Sequence, residues 1–179
     1  MQALLQAIKQ RRSVRKFRPD ELTDGQVEAL LEAIQWAPSW ANTQCWEIVL
    51  VKESEQKRRL QETVGRNPAF NAMVEAPLVL VLCARKERAG FKQGKPSTRY
   101  GDWFMYDLGL ANQNLCLAAF ALGLGTVIVG RFDHAAVEKI CNVPDDCVAV
   151  TMVPIGVPDT DTKVPPRKDL SEFVHEESF

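Results

Sequence analysis

Hydrophobic residues recur along this chain with two different spacings, one helical and one extended. Leu4, Leu5 and Ile8 repeat at helical intervals and predict a first helix over residues 2 to about 12, ending in Arg11-Arg12. Pro19 breaks that register. Thr23-Asp24-Gly25-Gln26 fits a capping box in which Gln26 reaches back to the Thr23 backbone. Val27, Leu30, Leu31 and Ile34 then line one face of a second helix, which Pro38 closes. Trp46 to Val51 is short, apolar and β-branched, so it predicts a strand. Ser54 is expected to cap a charged helix through Val64, with another helical turn around Phe70 to Val74. Leu78 to Ala84 shows no polar alternation, as a strand buried on both faces would.

The second half opens with Lys86 to Arg99, a polar segment with two glycines and a proline that predicts a lid-like loop. Asp102 is expected to cap a long helix ending at Gly123. The middle of that helix, Leu108 to Leu122, is apolar nearly all round and belongs at the centre of the molecule. Val127 to Gly130 predicts a third strand, Asp133 caps a short helix to Cys141, and Val148 to Gly156 predicts a fourth strand. The tail beyond Pro158 holds Pro165-Pro166 and little periodicity. No repeat or low-complexity tract interrupts this order, and a single domain over residues 1–179 is expected.

Charge narrows the function. The 179 residues carry 22 Lys plus Arg against 23 Asp plus Glu, a net charge of −1, so no global basic field attracts nucleic acid or an anionic membrane. Trp103 to Leu122 is the longest apolar stretch, but Asp107, Asn112, Gln113 and Asn114 make it too polar for a membrane span. The first ten residues lack a continuous apolar segment, so no signal peptide is expected and a cytoplasmic location follows. Cys45, Cys83, Cys116, Cys141 and Cys147 contain no C-x-x-C pair, and His134 and His175 lie far apart. Neither a metal site nor a disulfide framework is expected.

Three motifs fail on their spacing. Gly90 to Ser97 resembles a phosphate loop, but its glycines stand one residue too close and Pro96 occupies the place of the magnesium-binding hydroxyl. Gly123-Leu-Gly125 lies at a helix end and is a helix stop rather than a dinucleotide fingerprint. No G-x-S-x-G accompanies either histidine, so a serine triad has no base.

Three segments remain. Arg11 to Arg18 places five positive charges in eight residues where a helix ends. They suit a solvated edge that offsets the helix dipole, or a site for an anion such as phosphate, which arginine grips as a planar fork. Ala37 to Trp46 concentrates amides, hydroxyls and two tryptophans between a helix and a strand, as a self-satisfied turn or as a binding loop. Pro165-Pro166-Arg167-Lys168 is a stiff basic stretch in the tail.

In their order along the chain these segments resemble the FMN-dependent nitroreductase family. The resemblance rests on R-R-S-x-R-x-F at Arg11, A-P-S-x-x-N-x-Q-x-W at Ala37, G-L-G-T ahead of Gly130, and the late Pro-Arg-Lys, and it runs from Ile8 to Lys168. It implies an α+β fold: a three-layer α-β-α sandwich with a mixed, largely antiparallel sheet, in an intertwined homodimer with FMN at the interface. By this likeness Arg11, Arg12, Ser13 and Arg15 contact FMN, and Pro38, Ser39, Trp40 and Asn42 approach it from the partner subunit. Gly130 and Arg131 lie near flavin N5, Asn71 near the pyrimidine edge, and Arg167 with Lys168 near the phosphate. Phe91, Tyr100 and Trp103 are substrate-side candidates that serve equally as packing residues. The implied activity is hydride transfer from NADH or NADPH, through the flavin, to a small electron-poor acceptor by a ping-pong scheme. No acid–base residue is required. Two positions depart from the family: Trp40 stands where a small residue is usual and Cys45 where proline is common. An indole there would roof the cofactor or narrow the cleft, so a flavin-holding protein without turnover stays open. So do a specialised dehalogenase or dehydrogenase and a flavin-free anion-binding domain.

Overall fold

The computed structural model describes residues 2–160 and 162–179. Its centre is an antiparallel sheet of four strands: β1 (Trp46–Val51), β2 (Leu78–Arg85), β5 (Gly125–Thr126) and β6 (Cys147–Gly156), in the order β1-β2-β6-β5. Alternation along β2 sorts its side chains into two cores. Leu78, Leu80, Leu82 and Ala84 pack with Val27, Leu30, Ile34, Leu108 and Leu115. Val79, Val81 and Cys83 pack on the other side with Leu60, Val64, Met73 and Val137. Strand residues two apart share a face. An unbroken apolar strand therefore needs helices on both sides, and it has them.

One outer layer holds α2 (Asp24–Gln35) and α5 (Phe104–Ala121); the other holds α3 (Ser54–Val64), α4 (Ala72–Glu75) and α6 (His134–Ile140). The expected three-layer sandwich is thus the observed one. Among the described residues the sheet is mixed only through a parallel bridge between Ser13 and Thr126. Helix α2 starts with the expected capping box: Thr23 accepts from the Gln26 amide at 3.2 Å, and Gln26 Oε1 accepts from the Thr23 amide at 2.9 Å. Helix α1 (Gln2–Gln10) buries only Ala7.

Several expectations shift. Ser54 is the first residue of α3 rather than its cap, which is Glu53 with no side-chain bond. Asp102 is not the cap of α5; Trp103 is. The Asp102 carboxylate instead joins two segments, accepting from the Phe104 amide at 3.2 Å and the Glu87 amide at 2.6 Å. The segment from Lys86 to Arg99 folds into a small hairpin of β3 (Phe91–Lys92) and β4 (Lys95–Pro96), anchored by buried Ala89 and Gly90.

The third strand forms at Gly125–Thr126, not over Val127 to Gly130, and resumes only as a bridge between Val129 and Met152. Thr126 faces Ile155 and Val129 faces Met152, so the same register would set Val127 opposite Pro154. Proline has no N–H to donate, and the ladder opens there.

Candidate functional site

The site begins where α1 ends. Arg11 makes the last helical bond, to Ala7 at 2.9 Å. Arg12 turns back and donates through Nη1 to the carbonyls of Lys9 and Arg11, both at 2.7 Å, so it does cap the helix C-terminus. Its Nε is buried without a partner. The chain then runs beside β5: Ser13 bridges Thr126, and the Val14 amide donates to the Thr126 carbonyl at 2.9 Å. That approach requires Gly125, where a Cβ would stand 2.6 Å from Val14 Cγ2 and 2.7 Å from Val14 Cβ.

After β6 the tail returns to the same place. Phe17 bridges Pro158, and the Asp159 amide donates to the Lys16 carbonyl at 3.1 Å. Beyond it, Thr162, Lys163, Val164, Pro165 and Arg167 close a cavity of about 660 Å³ whose other wall is Arg11, Arg12, Ser13 and Arg15. Five cationic side chains line it, with no acidic one among the described residues, and none of the five is in an ion pair there. Gathered like charges repel, so this arrangement favours an anion between them. Arg167 reaches only the Pro165 and Pro166 carbonyls, at 3.4 and 3.3 Å, and Arg15 only the Ser13 carbonyl at 3.4 Å. Their guanidinium forks remain available for planar oxyanions.

The second expected loop lies elsewhere on the same chain. Ser39 Oγ accepts from the Gln44 amide at 3.0 Å, and Gln44 Nε2 donates to Asn42 Oδ1 at 3.2 Å. Ala41, Asn42 and Gln44 all have left-handed backbone, with φ of 44°, 56° and 46°. For a residue with a side chain this costs about 1–2 kcal/mol each. What holds the loop is Asp107, a fully buried carboxylate in the first turn of α5. Its two oxygens stand 3.0 and 3.1 Å from the Trp40 amide, and the Cys45 thiol donates to Oδ2 at 3.7 Å. Burial pushes the Asp107 carboxyl above its ordinary value, and the bonds from Trp40 and Cys45 pull it partly back. Burial beside that carboxylate pushes the Cys45 thiol up to about 12, so it remains a donor. Cysteine at this position therefore has a hydrogen-bonding task.

Trp40 does not stand free. Its ring lies 4.9 Å from that of Trp103, which meets Tyr106 at 5.5 Å and Tyr100 at 6.3 Å. Trp103 Nε1 donates to Thr98 Oγ1 at 2.7 Å, so the hairpin is stitched to the loop.

Of the candidate residues, Arg11, Arg12, Ser13, Arg15 and Arg167 meet at one cavity. Pro38, Ser39, Trp40, Asn42, Asn71, Gly130, Arg131, Lys168, Phe91, Tyr100 and Trp103 do not line it. Gly130 and Arg131 are exposed beyond the Val129 bridge, Asn71 is exposed at the start of α4, and Phe91 is half-buried in the hairpin. Lys163 and Asp107 were not expected. Lys163 stands four residues before Arg167 in an aperiodic tail, and Asp107 reads in sequence as one polar interruption of an apolar helix. A polar residue placed inside such a helix is the one signal that points to it.

The fold and cavity define an α+β sandwich protein that gathers arginines around one cavity where its first helix meets its tail. Its relatives agree: the model of the Nitroreductase family matches residues 8–72 and 64–157, and the chain belongs to that family. It is 27% identical over 193 residues to the FMN reductase [NAD(P)H] of Bacillus subtilis, covering 100% of this chain and 75% of that one. To the NADH dehydrogenase of Thermus thermophilus it is 30% identical over 181 residues, covering 85% of each. Among solved structures, the NADPH:FMN oxidoreductase of Vibrio harveyi complexed with NAD+ superposes with a TM-score of 0.83 at 28% identity. That match covers 99% of this chain and 78% of the other.

Proposed function

We propose that this protein is an FMN-dependent NAD(P)H oxidoreductase that reduces a small electron-poor acceptor, a nitroaromatic, quinone or activated alkene, by a ping-pong scheme. The observation that carries the reading is the cavity of about 660 Å³ ringed by Arg11, Arg12, Arg15, Lys163 and Arg167. The residues present fit the phosphate of FMN: among the described residues none of the cavity's guanidinium groups is in an ion pair, and the orphaned Arg12 Nε calls for an oxygen acceptor. Relatives that carry flavin reductase names support the same cofactor and nicotinamide donors.

When bound, the flavin supplies hydride acceptance and donation at N5, chemistry the side chains lack. The chain's own work is to hold and orient. In this reading Arg11, Arg12, Ser13, Arg15 and Arg167, with Lys168, bind the phosphate and ribityl side. A guanidinium near the pyrimidine edge would favour negative charge there. Pro38, Ser39, Trp40 and Asn42 would serve the partner subunit's site, Gly130 and Arg131 would hold the N5 side, and Asn71 would hold the pyrimidine side. Phe91, Tyr100 and Trp103 would stand on the acceptor side.

A homodimer is part of the proposal. Leu4, Leu5 and Ile8 on α1 are 59%, 51% and 48% exposed, and Leu170 and Phe173 in the tail are 71% and 55% exposed. Apolar surface left open in this way suits a second copy of the chain. Among the described residues no helix is long and apolar enough to cross a membrane. The deciding experiment is an anaerobic absorbance spectrum before and after NADPH, then NADH. A flavin spectrum that bleaches supports the enzyme. One that stays oxidised with both donors favours a flavin-holding protein, and no flavin after reconstitution with FMN removes the proposal.

A further inference from the structure

The 39–45 loop and the 86–103 hairpin are separate in sequence, yet both are tied to the first turn of α5. Asp107 takes the Trp40 amide and the Cys45 thiol, one at each end of the loop's left-handed run. Trp103, the residue that caps α5, packs against the Trp40 ring at 4.9 Å with the planes tilted by 44°, and Asp102 beside it accepts from the Glu87 amide at the hairpin's base. Asp107 itself is fully buried, and the donors that act on it all come from this loop: the Trp40 amide and the Cys45 thiol, with the Thr43 hydroxyl beside them. A buried carboxylate is retained at a cost unless its partners need it. The first turn of a helix lowers that cost by favouring negative charge.

The loop's own bonds make only a single tight turn: the Asn42 amide donates to the Ser39 carbonyl at 3.1 Å and the Thr43 amide to the Trp40 carbonyl at 2.9 Å. Three residues with side chains occupy the left-handed region, and the side-chain bonds of Gln44 to Ser39 and to Asn42 lie on an exposed surface open to competition from water. The buried anchor is the carboxylate. We propose that Asp107 is a positioning residue: through the Trp40 amide and the Cys45 thiol it fixes the 39–45 loop in its binding conformation and aligns Trp40 on Trp103. This rests on the reading that the loop reaches the flavin of the partner subunit. Asp107 touches neither cofactor nor substrate in that arrangement and acts through Trp40.

The test compares Asp107→Ala, which removes the acceptor, with Asp107→Asn, which keeps one carbonyl oxygen of the same shape for Trp40. Circular dichroism reads the exciton couplet of the tilted Trp40–Trp103 pair without any cofactor, and fluorescence titration reads the FMN dissociation constant. The expected result is loss of most of the couplet and at least tenfold weaker FMN binding in Asp107→Ala. Asp107→Asn should return the couplet and bind FMN within about threefold of the parent. Hydrogen exchange at the Trp40 amide of the unaltered protein needs no variant, and strong protection is expected there. A folded Asp107→Ala that keeps the couplet and binds FMN within twofold of the parent overturns the proposal, as does an unprotected Trp40 amide. If the parent itself binds no FMN, the functional reading fails while couplet and exchange still judge the role of Asp107.

Discussion

Replacing Gly125 by alanine tests the seat of the arginine segment. The added Cβ would lie 2.6, 2.7 and 2.9 Å from Val14 Cγ2, Cβ and Cγ1. All three atoms belong to a β-branched side chain next to its own backbone, so no flexible end can swing away. Val14 is buried, and its amide donates to the Thr126 carbonyl at 2.9 Å. Relief must come from moving the Arg11–Arg15 segment off β5. Overpacking of this kind costs about 1–3 kcal/mol. Loss of the Val14 bond adds about 0.5–1.5 kcal/mol. The sum, about 1.5–4.5 kcal/mol, corresponds to a Tm lowered by roughly 3–18 °C for a chain of this size. Thermal unfolding at fixed protein concentration measures it, and FMN titration should show weaker binding because the arginines move together. Val14→Ala removes the two obstructing methyl groups and keeps Cβ, 2.7 Å from the added carbon. In the double variant the two costs should therefore fall short of adding, but only in part. If Gly125→Ala melts within a degree of the parent with unchanged FMN affinity, the close approach does not hold the site.

Arg11→Ala and Arg15→Ala should each lower FMN occupancy, with a loss relative to the parent that is largest at low salt and shrinks as salt screens the removed charge; full retention on gel filtration would remove those positions from the site. Arg12→Ala should in addition lower Tm, since its Nη1 caps the Lys9 and Arg11 carbonyls. Leu5→Asp on the open face of α1 should shift the protein toward monomer and release FMN together, measured by sedimentation velocity, and an FMN-loaded monomer would refute the shared site. The raised Asp107 carboxyl carries a pH signature. The folded state holds that proton to higher pH than the unfolded chain, so this group's contribution to stability falls as pH rises from the ordinary carboxylate value through the raised one. Cys45 and Asp102 are the other titratable groups that act on it. Asp107→Asn should lack this part of the slope in denaturation curves from pH 4 upward, and parallel curves would contradict the assignment.

Much of the structure that depends on neighbours a few residues away was determined by the sequence alone, the caps of α3 and α5 excepted. The capping box at Thr23, the face of α2, strand β1 at Trp46–Val51 and the doubly buried β2 follow from spacing, because i+3, i+4 and i+2 neighbours are fixed by the backbone. The order of short motifs was enough to suggest the family and most residues around the arginine cavity. Only the tertiary structure decided what distant segments do to one another. Pro154 lies ordinarily in its own strand, yet its missing N–H falls on the β5 side and opens the third strand. Lys163 has no pattern in its tail and joins the site because Phe17 and Lys16 anchor the chain just before it. Asp107 sits 67 residues from the Trp40 amide it receives. Partners that far apart leave no periodic trace. Their pairing is set by which polar groups the core has already cut off from water, and that is known only once the layers have closed.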